Sequence, residues 1–316
     1  MEVRDGVELT NLDAPLFDGT DVTKRDLVDH LDAVADRILP GLADRPLSVV
    51  RVRPGQPPFM QKNTPKHAPD WIRTVAVWSE ASHREVVYPL CDDRRTLLWL
   101  ANQRAVEYHP ALLRGADARA THLVLDLDPP ADDAFAHVVR AARLVHRALQ
   151  QSGLAAAVKT SGSKGLHVVV PLADGQPVDA VAAATRALAA RAERLDPEVA
   201  TTAFLREDRG GKVFLDATRA GGATLAAAYS PRVRPGVPVS FPVAWDELDG
   251  VVPGEPTVRT AARLLGDRDP WAELMPQPQR LPDDLVAEGR TIPVARVQAM
   301  HEGKRRARAR RGDQPV

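Results

Sequence analysis

A mixed α/β fold, a catalytic core with an N-terminal α/β module packed on it, is the fold class the sequence predicts. Three observations carry it. The segment from 121 to 216 alternates short β-branched runs with Ala-rich helical stretches, the rhythm of strand–helix–strand units. The first 110 residues hold one capped helical stripe and a hairpin-like alternation of their own. With 316 residues and 44% hydrophobic content there is material for a sizeable core. No apolar run reaches the roughly 18 residues that a membrane span needs. The start, Met1-Glu2-Val3-Arg4-Asp5, lacks the apolar stretch of a secretory signal, so the expected compartment is cytoplasmic. One cysteine, Cys91, excludes intramolecular disulfides and Cys-based zinc clusters.

The elements follow in order. A short strand is expected near Val7–Leu9. Thr23 is placed to cap a helix running to Leu39, with Leu27, Leu31, Val34, Ala35 and Ile38 on its apolar stripe, stopping before Pro40-Gly41. Leu47–Arg53 reads as a strand, and the proline-rich stretch 54–69 as a long loop. Val75–Trp78 and Arg84–Tyr88 alternate as a hairpin; Asp93 opens a helix to Arg104; Val106–His109 returns as a strand. Then come a strand at Thr121–Asp128, a helix over 133–151, strands at Ala155–Lys159 and His167–Pro171 about a glycine-rich turn, a helix over 178–195, and a strand at Lys212–Asp216. Small helices near Val258–Leu265 and Pro282–Glu288 complete a single domain over 1–290, divided as an N-terminal module over 1–110 and a core over 111–290.

Three segments carry chemistry. In Leu125-Asp126-Leu127-Asp128-Pro129 the period of two puts both carboxylates on one face of a strand that proline ends. Two such acids repel unless a cation lies between them, and a hard divalent ion is the usual partner. An acidic pair at a strand end also serves as a cap, and by itself it is a weak signal. In Ser161-Gly-Ser-Lys164-Gly-Leu-His167 the glycines, hydroxyls and lysine resemble a phosphate cradle. The Walker spacing is absent, so an ordinary Gly/Ser hairpin fits the residues too. Arg209-Gly-Gly-Lys-Val-Phe-Leu-Asp216 adds a third carboxylate at a strand exit, enough to complete a ligand set for two-metal phosphoryl transfer. Further on, Arg232 and Arg234 fall on one face of an extended segment and suit a triphosphate.

Taken in order, these motifs resemble the archaeo-eukaryotic primase superfamily, and more closely the polymerase domain of bacterial ligase D and its stand-alone relatives. Leu9-Thr-Asn-Leu-Asp13, Val22-Thr-Lys24, Arg45-Pro46, Phe59-Met-Gln-Lys62, His67-Ala-Pro-Asp-Trp71, Val106-Glu-Tyr-His109 and Pro242-Val-Ala-Trp-Asp-Glu-Leu248 extend the likeness over about residues 8–290. The resemblance implies a primase-polymerase core in which Asp126, Asp128 and Asp216 bind two Mn²⁺ or Mg²⁺ ions. It implies that a primer 3′-hydroxyl attacks the α-phosphate of an NTP or dNTP, with a leaning toward ribonucleotides. Ser161, Lys164, His167 and Arg232 map onto triphosphate-holding positions, Arg209 onto an arginine loop near the site, and His109 near the nucleotide. Lys24, Phe59 and Lys62 are the implied DNA contacts, on primer–template or gapped DNA.

Departures qualify the likeness. Family members carry an N-terminal lysine that helps grip a downstream 5′-phosphate; Ala14 stands there here, while Lys24 matches the second such lysine. A Phe-Phe pair that stacks on template bases is Phe59-Met60 in this chain. Weaker 5′-phosphate dependence is therefore expected. No K-x-D-G ligase motif occurs, so the sequence reads as a stand-alone polymerase module, with Ku and a separate DNA ligase as partners by family analogy. Residues 291–316 read as a basic flexible tail; from His301 to Val316 six Lys/Arg face two Asp/Glu, a net of about +4. That tail would add nonspecific DNA affinity and a nucleoid association. Two rival readings use the same residues: a non-catalytic DNA-end or primer–template binding module on this fold, and a D-x-D glycosyltransferase.

Overall fold

The computed structural model describes residues 2–79, 83–115, 119–131, 134–220 and 223–294. In chain order the strands and helices are β1 (Glu2–Arg4), β2 (Val7–Leu9), α1 (Lys24–Ala33), α2 (Ala35–Leu42), β3 (Leu47–Arg53), β4 (Gln56–Gln61), β5 (Thr74–Ser79), β6 (Arg84–Pro89), α3 (Arg94–Asn102), β7 (Ala105–Pro110) and β8 (Arg119–Asp128). There follow α4 (Phe135–Gln151), β9 (Ala157–Thr160), β10 (Leu166–Pro177), α5 (Val178–Leu195), β11 (Ala200–Thr201), β12 (Val213–Asp216), β13 (Pro242–Val243), α6 (Ala261–Leu265), α7 (Pro270–Leu274) and α8 (Asp283–Thr291).

The central sheet has six strands in the order β11-β12-β8-β10-β9-β13, antiparallel except between β11 and β12. Alternation along β8 decides what each face does. Leu123, Leu125 and Leu127 join Val158, Val168 and Val170 in a buried layer under α4 and α5. Asp126 and Asp128 consequently point to the opposite face, away from those helices. A second sheet, β4-β3-β7, packs with α1, α2 and α3 around a separate apolar core.

That second core is not built from the first 110 residues alone. Ala227, Ala228, Tyr229, Val237, Val239, Val258, Ala261 and Leu265 return to it from beyond β12. Tyr229 is the stitch. Its backbone is left-handed (φ 67°), its carbonyl accepts from His30 Nε2 at 3.0 Å, and its hydroxyl donates to Asp269.

Two local expectations are corrected. Gln56–Gln61 is a strand inside the segment expected to be a loop, and it pairs antiparallel with β3. Pro57 and Pro58 are tolerated because β4 is an edge strand, where a missing N–H leaves no ladder partner empty. The helix expected from Thr23 to Leu39 breaks at Val34 and restarts as α2, which carries Pro40 inside it. Pro40 stands in the last turn of an eight-residue helix, on its exposed side, where one lost i→i−4 bond faces water. The caps are as expected: Thr23 and Asp26 close a reciprocal capping box, and the Asp93 side chain accepts from Thr96 N. Positions 80–82 within the β5–β6 connection, position 133 at the expected start of α4, and 295–316 of the basic tail lie outside the described residues.

Candidate active site

Strand register assembles the site. Asp216 on β12 lies opposite Asp126 on β8, Asp126 lies opposite His167 on β10, and His167 lies opposite Lys159 on β9. Directly opposed residues share a face, so one row runs Asp216–Asp126–His167–Lys159 across four strands, with Asp128 two residues further along β8. The sequence motifs, scattered from residue 126 to residue 216, thus converge on one surface.

The carboxylates hold a cation of their own chain. Arg219 Nη2 donates to Asp126 Oδ2 at 2.9 Å. Its Nε is 3.3 Å from Asp216 Oδ2, within ion-pair range but off line for a hydrogen bond. Asp216 Oδ1 accepts from both the N–H and the hydroxyl of Thr218. Burial, then the neighbouring Asp128 charge, pushes the Asp126 carboxyl well above its ordinary range; burial, then Asp216, raises Asp128. Burial works against the Arg219 guanidinium, yet the three carboxylates more than offset it and raise its pKa. One arginine therefore balances three acids incompletely. Such an all-oxygen donor set, short of positive charge, suits a hard divalent cation. As the side chains stand they close on Arg219, and no cluster of three or more His, Cys, Asp or Glu among the described residues is arranged around a metal.

Beside the carboxylates the Ser161–Gly165 turn is held by its own serine: Ser161 Oγ accepts from Ser163 N at 3.2 Å and Gly165 N at 3.1 Å. Gly165 presses on β8, where an added Cβ would fall 2.2 Å from Leu127 O; at Gly162 (φ 68°) a Cβ would meet Arg232 Cγ at 2.7 Å. Arg232 Nη1 donates to Ser161 O, and Arg234 Nε donates to Ser163 Oγ at 3.2 Å. These contacts bind the arginine segment to the turn.

Glu107 orders the third wall. Its Oε2 accepts from His109 Nε2 at 2.8 Å and lies 3.1 Å from Arg232 Nε, and its Oε1 accepts from Val233 N at 2.9 Å. Burial alone would raise Glu107, but the His109 hydrogen bond and the Arg232 charge bring it down to about 2. His109 itself is pushed below its ordinary value by burial, which outweighs the attraction of Glu107.

A cavity of ≈ 370 Å³ opens over this surface. Asp126, Asp128, Ser161, His167 and His109 line it together with Lys164, Arg206, Arg209, Arg219, Arg232 and Arg234, so acids and cations share its wall. Arg209 stacks over Phe214 at 3.8 Å and donates to Ala203 O and Phe204 O.

The expected DNA contacts lie elsewhere. Phe59 is on the outer strand of the sheet that carries His109, half-buried, with the Arg53 guanidinium 5.0 Å from its ring; Lys62 just beyond is exposed. Lys24 is buried, and its Nζ donates to Thr10 O and Asn102 Oδ1, both at 2.6 Å. Burial lowers its pKa to about 8. Sequence reasoning overlooked Arg206 and Arg219, and gave Glu107 and Lys159 no role. The Asp216-Ala-Thr-Arg219 spacing was the one available hint, since three residues past a strand exit is within reach of a turn back onto the sheet.

Comparison with known proteins gives the family and the fold. A family model for the LigD primase-polymerase domain matches residues 23–271. The bifunctional non-homologous end joining protein LigD of Bacillus subtilis is 32% identical over 282 residues, covering 87% of this chain and 45% of that protein. The multifunctional non-homologous end joining DNA repair protein LigD of Mycobacterium tuberculosis is 36% identical over 259 residues, covering 77% of this chain and 33% of that protein. The chain thus spans between a third and a half of these curated relatives. A solved structure, the polymerase domain of Mycobacterium tuberculosis ligase D in complex with DNA, superposes with a TM-score of 0.78 at 33% identity, covering 85% of this chain and 97% of the other. The class is a nucleotidyltransferase domain of mixed α/β fold. More particularly, the chain belongs to the LigD primase-polymerase domain family. Among the described residues no helix is long and apolar enough to cross a membrane.

Proposed function

We propose that this chain is a template-dependent polymerase that extends a primer 3′ end, or fills a gap, at broken DNA during end joining. The observation that carries the reading is one cavity lined at once by Asp126 and Asp128, with Asp216 directly opposite Asp126 on the next strand, and by Lys164, Arg206, Arg209, Arg232 and Arg234. A nucleoside triphosphate and a primer terminus need both at once: charge to hold the phosphates, and carboxylates to hold catalytic cations.

Two Mn²⁺ or Mg²⁺ ions are the cofactors this donor set fits, with Asp126, Asp128 and Asp216 as their protein ligands. When bound, such ions favour the deprotonated 3′-hydroxyl and neutralise charge on the departing pyrophosphate. The chain's own residues do the rest. Arg232, anchored on Glu107 and the Ser161 carbonyl, is aimed before substrate arrives, and so is Arg234 through Ser163. Preset donors of this kind need no reorganisation when charge develops. Phe59 and Lys62 would meet the template strand, one by stacking and one by phosphate contact. Ribonucleotide preference, and cooperation with Ku and a separate ligase in the cytoplasm, complete the proposal by analogy with the relatives named for end joining.

The test is extension of a labelled primer–template with Mn²⁺ and either rNTPs or dNTPs, beside an Asp126→Ala/Asp128→Ala protein. Extension that the double variant abolishes supports the polymerase, and the two nucleotide sets decide sugar preference. DNA binding by both proteins with extension by neither would instead identify a non-catalytic end-binding module.

A further inference from the structure

A second cavity, of ≈ 510 Å³, has no role in the scheme above and is larger than the one over the carboxylates. Helix α5 contributes Ala182, Arg186 and Ala190 to its lining, and the chain around β12 contributes Phe204, Phe214 and Thr218. Positions 182, 186 and 190 are four apart, so they form one stripe along the helix. Two alanines in that stripe leave the space open, and the residue between them is an arginine.

The polar groups of the lining can be followed one by one. Thr202 gives its N–H and its hydroxyl to Glu193, and Thr218 gives both of its own to Asp216. Asp208 has a partner too. Arg186 stands apart. Its Nη2 donates to Gly289 O at 3.1 Å, its Nε is buried without an acceptor, and no carboxylate among the described residues pairs with it. Burial works against the guanidinium with nothing to offset it. A methionine at this position would line the cavity without desolvating a charge, whereas a guanidinium there calls for an anion.

The lining is shared with an arginine of the active cavity. Arg209 stacks over Phe214 at 3.8 Å and donates to Ala203 O at 3.3 Å and to Phe204 O at 3.2 Å. All three residues that hold it also line the second cavity. We propose that this cavity is an effector site for a small amphiphile, with an anionic head on Arg186 and an apolar body of aromatic size against Phe204 and Phe214, and that its occupancy is felt at Arg209. The volume falls in the range of small-molecule sites, and the wall is mostly apolar with one unspent polar group, as such sites are. That a shifted Arg209 alters nucleotide handling rests on the polymerase reading; the site and its link to Arg209 do not.

The probe for the test is 1-anilinonaphthalene-8-sulfonate, an anionic amphiphile, beside its uncharged analogue N-phenyl-1-naphthylamine. Fluorescence titration of the full chain is expected to show one saturable site for each. Arg186→Leu should weaken the sulfonate about 10-fold, the lower end for a hydrogen bond to a charged group, and leave the neutral analogue unchanged. Ala190→Trp fills the space and should abolish both. In protein labelled with ¹⁵N-arginine, the Nε–H signal of Arg209, assigned by its loss in Arg209→Lys, should shift as the sulfonate saturates. A wild-type chain that binds neither probe overturns the proposal even if the variants do not fold. So does binding untouched by Ala190→Trp, or an equal loss of both probes in Arg186→Leu. An Arg209 signal that stays still at saturation removes the effector role. Saturable binding with the expected Arg209 shift, but no primer extension, would defeat the polymerase reading while leaving this site in place.

Discussion

Asp126 and Asp216 lie directly opposite each other on β8 and β12, and the gap between them is bridged by Arg219, which touches both. The site is therefore a balance of charges among Arg219, Asp126, Asp128 and Asp216, and the balance is pH-dependent.

We predict that relieving this repulsion stabilises the metal-free protein. Asp126 has its pKa raised in the folded state by burial and by Asp128. A raised carboxyl favours folding while it is protonated, and that contribution is lost as pH rises through the folded-state value. In chelator, Asp126→Asn is thus expected to leave Tm nearly unchanged at pH 3.5, below the ordinary carboxyl value, and to raise it by about 2–4 °C at pH 8, on the order of 1 kcal/mol. Arg219→Gln should move Tm the other way at pH 8. Calorimetry at the two pH values checks both; a lower Tm for Asp126→Asn at pH 8 would contradict the charge balance.

Lys24 is expected to act on stability more than on 5′-phosphate recognition. Its ammonium is already held by Thr10 and Asn102, and Ala14 supplies no second cation. Removing the downstream 5′-phosphate should slow gap filling by less than about fivefold, the size of one exposed ion pair near 1 kcal/mol. Lys24→Ala should cost about 1–3 kcal/mol of folding free energy by stranding two acceptors. Strong phosphate stimulation that Lys24→Ala abolishes would show that the ammonium leaves its pocket for the phosphate.

At the outer strand, Phe59→Ala should weaken template binding by about 5- to 150-fold, which is about 1–3 kcal/mol of lost stacking. Met60 beside it is 47% exposed, so Met60→Phe has room for a second stacking surface and should tighten binding. Anisotropy with labelled primer–template measures both. Equal affinities for wild type and Phe59→Ala would remove β4 from the DNA path.

Gly165→Ala tests how the Ser161 turn is seated. The new methyl would meet Leu127 O, a backbone atom between Asp126 and Asp128, and neither side can yield cheaply. A cost of about 1–3 kcal/mol in stability and a raised KM for nucleotide are expected. A fully active, equally stable variant would mean that the turn is not pressed against β8 in solution.

The parts legible in the sequence were those governed by local period. Alternation placed Asp126 and Asp128 on one face, and the capping residues Thr23 and Asp93 were found because a cap acts over three residues. The order of strands in the sheet is a long-range property, and what depended on it stayed hidden. Lys159 lay in plain view in the Lys159-Thr-Ser-Gly string, yet only the pairing of β9 with β10 puts it behind His167. Arg219 required the turn after β12 to fold back, and β4 was concealed because two prolines read as loop until the strand proves to be an edge. Lys24 resembled a surface contact because its partner Asn102 is 78 residues away.

The return of residues 227–239 and 258–265 to the second apolar core has a consequence for taking this molecule apart. A cut near residue 220 would leave the amino-terminal piece without Tyr229, Val237 and Val239, and the carboxy-terminal piece without the strands that carry Asp126 and Asp216. Neither fragment is autonomous. Synthesis also imposes an order: the strands that carry Asp126 and Asp216 are translated before Val237, Val258 and Leu265, which seal the earlier layer, so that layer closes only after Arg232 and Arg234 have emerged. Seating the arginines and closing the core are thereby one event, and a mutation that loosens the Tyr229 stitch should be felt at the substrate's phosphates.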